Sequence, residues 1–250
     1  KNILKMQNFL KKRHYSEQEN GIAFYNDKNK NIFFDVVQPT KFGFSKNLNA
    51  GTLSFELSAL EEKIITNCGA SDIGGKNPEY LRYSAAHSTV IINNTNISEI
   101  KAQSAHIEYP QNVTFYKSNY ETFTIFEGSH NGYMKKFKKV IKRKISIDNT
   151  KNKVYGEDNI ISTKANIKKD IYHIRFHLTP GISTTLTNNK KNVILKTVNN
   201  NIWVFKTSSQ ISIEESVFVD NDSTKQTKQI LIKGITTQNN HKEIWSLEKI

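Results

Sequence analysis

The chain has 250 residues, 36% hydrophobic and 24% charged, which is enough for one large all-β domain or two ordinary domains with substantial cores. A formal net charge of +13 makes its surface attractive to polyanions, whether nucleic acid, anionic lipid or acidic polysaccharide, without choosing among them. The single Cys68 excludes an internal disulfide framework, and no apolar run in the sequence is long enough for a transmembrane segment.

Residues 1–13 are the only stretch whose apolar spacing predicts a helix. From residue 21 onward, short runs of β-branched and aromatic residues are separated by clusters of Asn, Asp, Gly, Lys and Ser, which indicates strands joined by turns. The predicted strands are 21–26, 31–37, 52–60, 88–94, 121–128, 139–147, 173–178, 192–198, 202–206, 211–219, 229–235 and 243–250. We therefore predict an all-β fold, a large antiparallel β-sandwich over residues 21–250, with residues 1–20 as a linker or the end of a preceding helical segment.

The segment MKKFKKVIKRKISI, residues 134–147, is compatible with two structures. As a strand it places Phe137, Ile141 and Ile145 on one face and lysines on the other. As a helix it is basic and amphipathic, which is typical of segments that bind membranes or calmodulin. The all-β context and the β-branched residues favour the strand, and a solvated lysine face is the simpler explanation of the charge.

General catalytic motifs do not identify the chemistry. The sequence has no phosphate-binding glycine loop, no HExxH and no CxxC pair. Cys68 has no clear base partner, so thiol catalysis is a weak hypothesis. His173, Arg175 and His177 alternate along one predicted strand and share a face, which suits a metal or an anionic substrate, or equally a polar face turned to solvent.

A series of longer motifs is more specific. NAGTLSFELSALEEKIITNCGAS (49–71) is followed by LRYSAAHSTVIINNTNISEI (81–100), GSHNGYMKKFKKVIKRKISI (128–147), YGEDNI (155–160), HIRFHLTPGI (173–182), SIEESVFV (212–219) and KQTKQILI (225–232). In order and spacing this series resembles the C-terminal β-domain of the heparinase II/III-like polysaccharide lyases. In that family YGEDNI corresponds to a G-E-D turn. The resemblance covers residues 21–250 and implies a sandwich of the super-sandwich type.

The departures from the family pattern concern its catalytic and zinc-binding residues. The resemblance implies two histidines and an aspartate in the turn before LSFEL, where this chain has Asn47, Asn49 and Gly51, and a later aspartate where it has Asn67. The family pattern also includes the histidine of the AAH motif, which is His87 in this chain. Of these catalytic and zinc-binding residues only His87 is present. One imidazole with amides is a poor zinc site, so no cofactor is expected and Asn49, Asn67 and His87 are interpreted as a degenerate metal site.

The resemblance also implies a β-elimination reaction whose site is shared between two domains. The catalytic Tyr and a carboxylate-binding Asn belong to an upstream α/α toroid, and the β-domain closes the cleft. The candidate catalytic residues here are Asn47, Asn49 and His87, and the candidate substrate contacts are Arg82, His130, Tyr133 and His177. Each also has a purely structural explanation, as a turn former, an ion-pair partner or a buried, satisfied histidine.

We therefore expect the β-sandwich part of a lyase acting on acidic polysaccharide in the periplasm or cell envelope, inactive without its toroid. The alternative from the same fold is a non-catalytic carbohydrate-binding or envelope-assembly module, which the missing histidines favour. A nucleic-acid binder driven by charge alone ranks last, because no nucleic-acid-binding motif accompanies the basic residues.

Overall fold

A computed structural model describes residues 21–39, 48–71, 78–100, 106–164, 169–221, 223–236 and 240–250. The helix predicted in residues 1–13 and the candidate residue Asn47 lie outside this part of the chain. In chain order the strands are β1 (Ile22–Asn26), β2 (Lys30–Asp35), β3 (Phe55–Ala59), β4 (Glu62–Thr66), β5 (Gly69–Ala70), β6 (Val90–Ile92), β7 (Glu99–Ile100), β8 (His106–Glu108), β9 (Val113–Asn119), β10 (Phe123–His130), β11 (Lys139–Asp148), β12 (Lys153–Ser162), β13 (Ile171–Leu178), β14 (Ser183–Leu186), β15 (Asn192–Lys196), β16 (Ile202–Thr207), β17 (Ile211–Asp220), β18 (Ser223–Ile235) and β19 (Asn240–Lys249).

Helical structure in the described residues is short. It consists of α1 (Glu79–Arg82), α2 (Met134–Phe137) and a 3-10 turn at Ser84–Ala86. None of these helices is long and apolar enough to span a membrane.

Two large sheets form the sandwich and confirm the all-β prediction. The nine-stranded sheet has the order β1-β2-β3-β4-β13-β18-β17-β5, with β6 also paired to β13. The eight-stranded sheet has the order β14-β15-β16-β19-β12-β11-β10-β9, and β7 and β8 form a separate hairpin. Among the described strand pairs, only β17 and β5 run parallel.

The core between the sheets is built from the alternate, inward-facing residues of each strand. Aromatic rings from both sheets meet at its centre, where Phe55 of β3 stacks on Trp245 of β19 with ring centroids 5.4 Å apart. Phe176 of β13 packs edge-on against the same indole at 4.9 Å. These contacts join the sheet that carries β3 and β13 to the opposite sheet. They also hold Phe55, the first residue of β3, where the preceding loop ends.

The YGEDNI segment is not a turn. Residues 153–162 form the continuous strand β12, paired with both β11 and β19. A Cβ atom at Gly156 would lie 2.0 Å from the Trp245 ring, so glycine is present to make room for an indole. Asp158 is fully buried and bonds Arg143 on the neighbouring strand. Gly156 and Asp158 are residue types common in turns, but here they fit the Trp245 ring and the Arg143 guanidinium, which the local sequence does not reveal.

The ambiguous segment 134–147 divides between the two predictions. One turn of helix, α2, ends at Phe137, because the next residue, Lys138, has a φ of 56° that breaks the helix, and β11 follows. In β11, Ile141, Ile145 and Ile147 face the core as predicted for a strand, while Lys142 is exposed. Arg143 falls on the inward face between these isoleucines and is buried.

The predicted strand 88–94 is shorter than expected. Only Val90–Ile92 form β6, because Asn93 and Asn94 both adopt left-handed backbone conformations and turn the chain. The residues before β6 form α1 and the 3-10 turn, and His87 follows directly after that turn. This arrangement places His87 beside the loop that precedes β3.

Candidate functional site

A pocket of about 450 Å³ lies on the outer face of the nine-stranded sheet. Outward-facing residues of β2 and β3 line it together with the loop before β3, the end of β4 and the turn before β6. Its lining residues include the predicted site residues Asn49, Asn67 and His87, and also Asp35, Glu56 and Phe33. The structure therefore brings together three predicted site residues that are up to 38 positions apart, from 49 to 87.

His87 lines this pocket with a buried imidazole ring. It is 5% exposed, and the backbone of Gly51 lies against it so closely that a Cβ there would be 2.9 Å from the ring atom Cγ. Burial lowers the pKa of His87 to about 4, although the Leu81 carbonyl and the charge of Glu56 act in the opposite direction. The imidazole is therefore neutral near pH 7 and offers the pocket hydrogen-bonding nitrogens rather than a fixed positive charge.

Two buried polar atoms of the site have no hydrogen-bond partner among the described residues. They are Nε2 of His87 and Oδ1 of Asn49. Buried polar atoms are nearly always paired, and exceptions often mark a site where a ligand or water binds. The pair makes this end of the pocket the strongest candidate for polar recognition.

Arg82 supports the loop that carries Asn49. It is 5% exposed, and its guanidinium donates to the Leu48 carbonyl from Nε at 3.3 Å and from Nη2 at 3.2 Å. The Arg82 carbonyl in turn accepts from the amide of Ala50 at 2.8 Å. Arg82 was predicted as a substrate contact, and the structure places it behind the loop, outside the residues that line the pocket.

Asn67 is held by hydrogen bonds on both sides of its amide. Its Oδ1 accepts from the amide of Ser88 at 2.9 Å, and its Nδ2 donates to Glu56 at 3.3 Å. Glu56 also binds Lys63 at 2.7 Å, which compensates its charge. Asn67 therefore ties the end of β4 to the residue that follows His87.

The side chains of Asn49, Asn67 and His87 do not fit a zinc site. The Asn67 side chain is engaged with protein partners, which leaves one imidazole and one amide where structural zinc sites use four imidazole, thiolate or carboxylate ligands. Among the described residues, no group of three or more His, Cys, Asp or Glu side chains is arranged to hold a metal ion. The residues present are thus unsuited to the zinc site that the family resemblance implies.

Arg143 is a site-supporting residue that sequence analysis missed. From the eight-stranded sheet its Nη1 donates to the carbonyls of Leu53 at 2.9 Å and Ser88 at 2.6 Å. Its Nε and Nη2 bind Asp158 at 2.6 and 3.0 Å, and all of these groups are buried. One cation therefore fixes the segment after Gly51 and the residue after His87 relative to each other. A charged residue at an inward-facing strand position was the available signal.

Asp35 is a second residue that was missed. It ends β2 and lines the pocket, and its Oδ1 accepts from the amide of Val37 at 2.9 Å. Burial raises the pKa of Asp35 to about 6, which the Val37 hydrogen bond offsets only in part. An aspartate next to an FF pair at the end of a strand carries no recognisable motif, so only its neighbours in space reveal it.

His130 and Tyr133 do not line the pocket. His130 ends β10 in the other sheet, is fully buried, and has a pKa lowered to about 3 by burial and by Arg143. Tyr133 is also buried, and its hydroxyl lies 3.0 Å from the Thr95 carbonyl and 3.3 Å from that of Val90. Burial raises the pKa of Tyr133 well above its usual value. Tyr133 therefore braces the segment around β6 from behind.

His177 also lies outside the pocket lining. It is 1% exposed, its Nε2 donates to the Ala85 carbonyl at 3.0 Å, and its Nδ1 therefore accepts from Ser216 Oγ at 2.8 Å. Burial and the nearby His87 lower the pKa of His177 to about 3. The polar face of β13 is thus buried rather than turned to solvent, and His177 anchors the turn that presents His87.

Cys68 belongs to this buried cluster. Its Sγ lies 3.5 Å from Nδ1 of His177, and burial raises the pKa of the thiol. A buried, protonated thiol is a poor nucleophile, so its environment is that of a packing residue.

A family model described as "Heparinase II/III-like, C-terminal" matches residues 15–246. None of the curated proteins matches the chain by sequence.

Solved structures share the fold at low sequence identity. The heparan sulfate lyase HepC of Pedobacter heparinus superposes with a TM-score of 0.74 at 13% identity over 97% of this chain, and a heparinase III with 0.69 at 13% over 95%. This chain spans 36% of the length of each of them. A 4-alpha-glucanotransferase from Thermococcus litoralis also matches, with a TM-score of 0.52 at 9% identity, over all of this chain and 41% of its own. The likeness to these structures concerns the fold alone.

Proposed function

Since this chain belongs to the heparinase II/III-like C-terminal family, we propose that it forms the β-sandwich part of a lyase that cleaves a uronic-acid-containing polysaccharide by β-elimination. The single observation that carries this proposal is the pocket in which Asn49 and His87 present unpartnered buried polar atoms. A concave site with a few convergent polar groups is typical of ligand binding. The net charge of +13 favours an anionic polymer as the ligand.

β-Elimination sets requirements that this pocket meets in part. A base removes the proton on C5 of the uronic acid, the electron pair forms a C4–C5 double bond, the C4–O bond breaks, and the departing oxygen takes up a proton. Donors must also stabilise the charge that accumulates on the neighbouring carboxylate. The Asn49 amide can donate to that carboxylate only from Nδ2, since its unpartnered Oδ1 accepts, and the neutral imidazole of His87 supplies the pocket with an unpartnered Nε2.

The remaining requirements fall to an upstream α/α toroid, which we propose as the partner domain that supplies a catalytic Tyr and a carboxylate-binding Asn. The proposal therefore holds this chain to be inactive by itself. Asn47, outside the described residues, keeps its predicted place as a further amide donor of the closing loop. Because such polysaccharides lie outside the cytoplasm, we propose the periplasm or cell envelope as the site of action.

A non-catalytic carbohydrate-binding module is the second candidate. It is favoured by the engagement of Asn67 with Ser88 and Glu56, which makes this amide a structural link. It predicts binding of the same polymers without cleavage.

Assays on the full-length protein separate the two. Incubation with a panel of uronate polymers should produce the ultraviolet absorbance of an unsaturated uronate, and His87→Asn should lower the rate by about a hundredfold or more if the imidazole transfers a proton. His241→Asn is a matched control, because His241 lies in β19 of the other sheet and binds Glu243. Binding of a polymer without any absorbance change supports the module, and neither binding nor cleavage contradicts both.

A further inference from the structure

The carboxyl group of Asp35 is the one acidic group of the pocket without a cationic partner among the described residues. Glu56, the other acid in the lining, binds Lys63 at 2.7 Å. For Asp35 the described residues show only the amide of Val37 bound to Oδ1. Its second oxygen, Oδ2, has no hydrogen-bond partner among the described residues and is not fully buried.

Apart from Glu56, whose charge Lys63 compensates, the groups that line the pocket around Asp35 are uncharged. Facing the same pocket are Ser54 and Thr52 of the loop and first turn before β3, the amide of Asn49, and His87. Burial keeps the imidazole neutral near pH 7. On the outer face of β1 the neighbouring residue is Ile22, paired in register with Asp35. An ionised Asp35 would therefore meet an incoming uronate as an uncompensated like charge.

We propose that Asp35 binds the uronate carboxylate of the substrate as a neutral carboxylic acid, donating the hydrogen bond from Oδ2 to a carboxylate oxygen of the sugar. This inference rests on the proposed function. It assigns the pocket a preference for the anionic sugar that is coupled to uptake of one proton.

The electrostatics of the pocket support this assignment. The pKa of Asp35 is raised to about 6 by burial, so that little free energy is needed to protonate it near neutral pH. A bound anion raises the pKa of the acid further, because a like charge disfavours ionisation. If only the protonated form binds, affinity at pH 7.5 should be about thirtyfold weaker than at pH 5, since a group with pKa about 6 is protonated about thirty times less.

Calorimetry on the full-length protein tests the inference, with a uronate oligosaccharide and its carboxyl methyl ester as probes. The free acid should bind with uptake of about one proton near pH 7, read from the dependence of binding enthalpy on buffer ionisation, and with the pH dependence given above. The methyl ester should bind without proton uptake. Asp35→Asn keeps an acceptor for Val37 and a donor for the sugar, and should abolish both the proton uptake and the pH dependence.

Asp220→Asn is the matched control. Asp220 ends β17, is largely exposed, and does not line the pocket, so this variant should retain the proton uptake and the pH dependence of the wild type. Uronate binding that is independent of pH, or that has the same pH dependence in Asp35→Asn, would overturn the assignment of Asp35. Failure of the wild type to bind any uronate between pH 5 and 7.5 would instead overturn the proposed function, and the inference with it.

Discussion

Replacement of Arg143 by methionine tests whether one buried cation holds the candidate site together. The guanidinium makes two hydrogen bonds to Asp158, at 2.6 and 3.0 Å, and one each to the Leu53 and Ser88 carbonyls. Methionine fills much of the same volume but donates none of them. The variant therefore leaves a buried carboxylate with the Trp245 indole, at 3.0 Å, as its remaining donor.

The magnitude follows from these contacts. Removal of one partner of a buried ion pair costs about 3–5 kcal/mol, because the remaining charge stays buried. The two abandoned carbonyls add about 1 kcal/mol each where no other donor replaces Arg143. We therefore expect the free energy of unfolding to fall by about 5–7 kcal/mol, a large share of the stability of a typical domain.

Urea unfolding, followed by the fluorescence of Trp203 and Trp245, measures this loss. The double variant Arg143→Met with Asp158→Asn removes both charges and keeps an acceptor for the indole. It should recover about half of the lost free energy. A loss below about 1 kcal/mol in the single variant, or no recovery in the double variant, would refute the view that Arg143 and Asp158 act as a buried pair.

Gly156→Ala places a Cβ 2.0 Å from the Trp245 ring and should lower the melting temperature by an amount equivalent to about 2–3 kcal/mol. An unchanged melting temperature would contradict the packing argument. Gly51→Ala places a methyl group 2.9 Å from Cγ of His87 and should weaken oligosaccharide binding about tenfold while costing only about 1–2 kcal/mol in unfolding; unchanged affinity would argue against His87 as a pocket residue. The pKa values of His87, His130 and His177 are lowered to about 4, 3 and 3, so the unfolded chain, with histidine near 6.5, takes up protons first as the pH falls. The raised pKa of Asp35 acts in the opposite direction, but one carboxyl group is outweighed by three imidazoles. The free energy of unfolding should therefore decrease from pH 6.5 to 4, and the decrease should be less steep in His177→Asn. A free energy of unfolding that stays constant over this range would contradict the prediction.

Alternation along individual strands was enough to predict most of the fold. Runs such as 31–37 and 139–147 became β2 and β11 because a period of two puts Phe34 or Ile141 on the buried face whatever the partner strand is. Prediction failed where a residue type was chosen by a distant neighbour. Gly156 and Asp158 look like turn residues, yet they lie in the middle of β12 to fit Trp245 and Arg143.

The candidate site divides in the same way. His87 and Asn49 were identified from an ordered series of motifs, and both line the pocket. Arg82, His130, Tyr133 and His177 came from the same motifs but lie behind it, and sequence spacing has no means to separate a residue that faces a pocket from one that supports it. Asp35 belongs to no motif.

The order of apolar and polar residues by itself determined that this chain forms an antiparallel sandwich, because strand alternation is a local property that burial of one face enforces. Only the tertiary structure decided which polar residues meet at one pocket and which charges are compensated. Register and strand order bring Asp35, Asn49 and His87 together across the chain, and the resulting burial, rather than residue identity, sets the pKa of each titratable group among them.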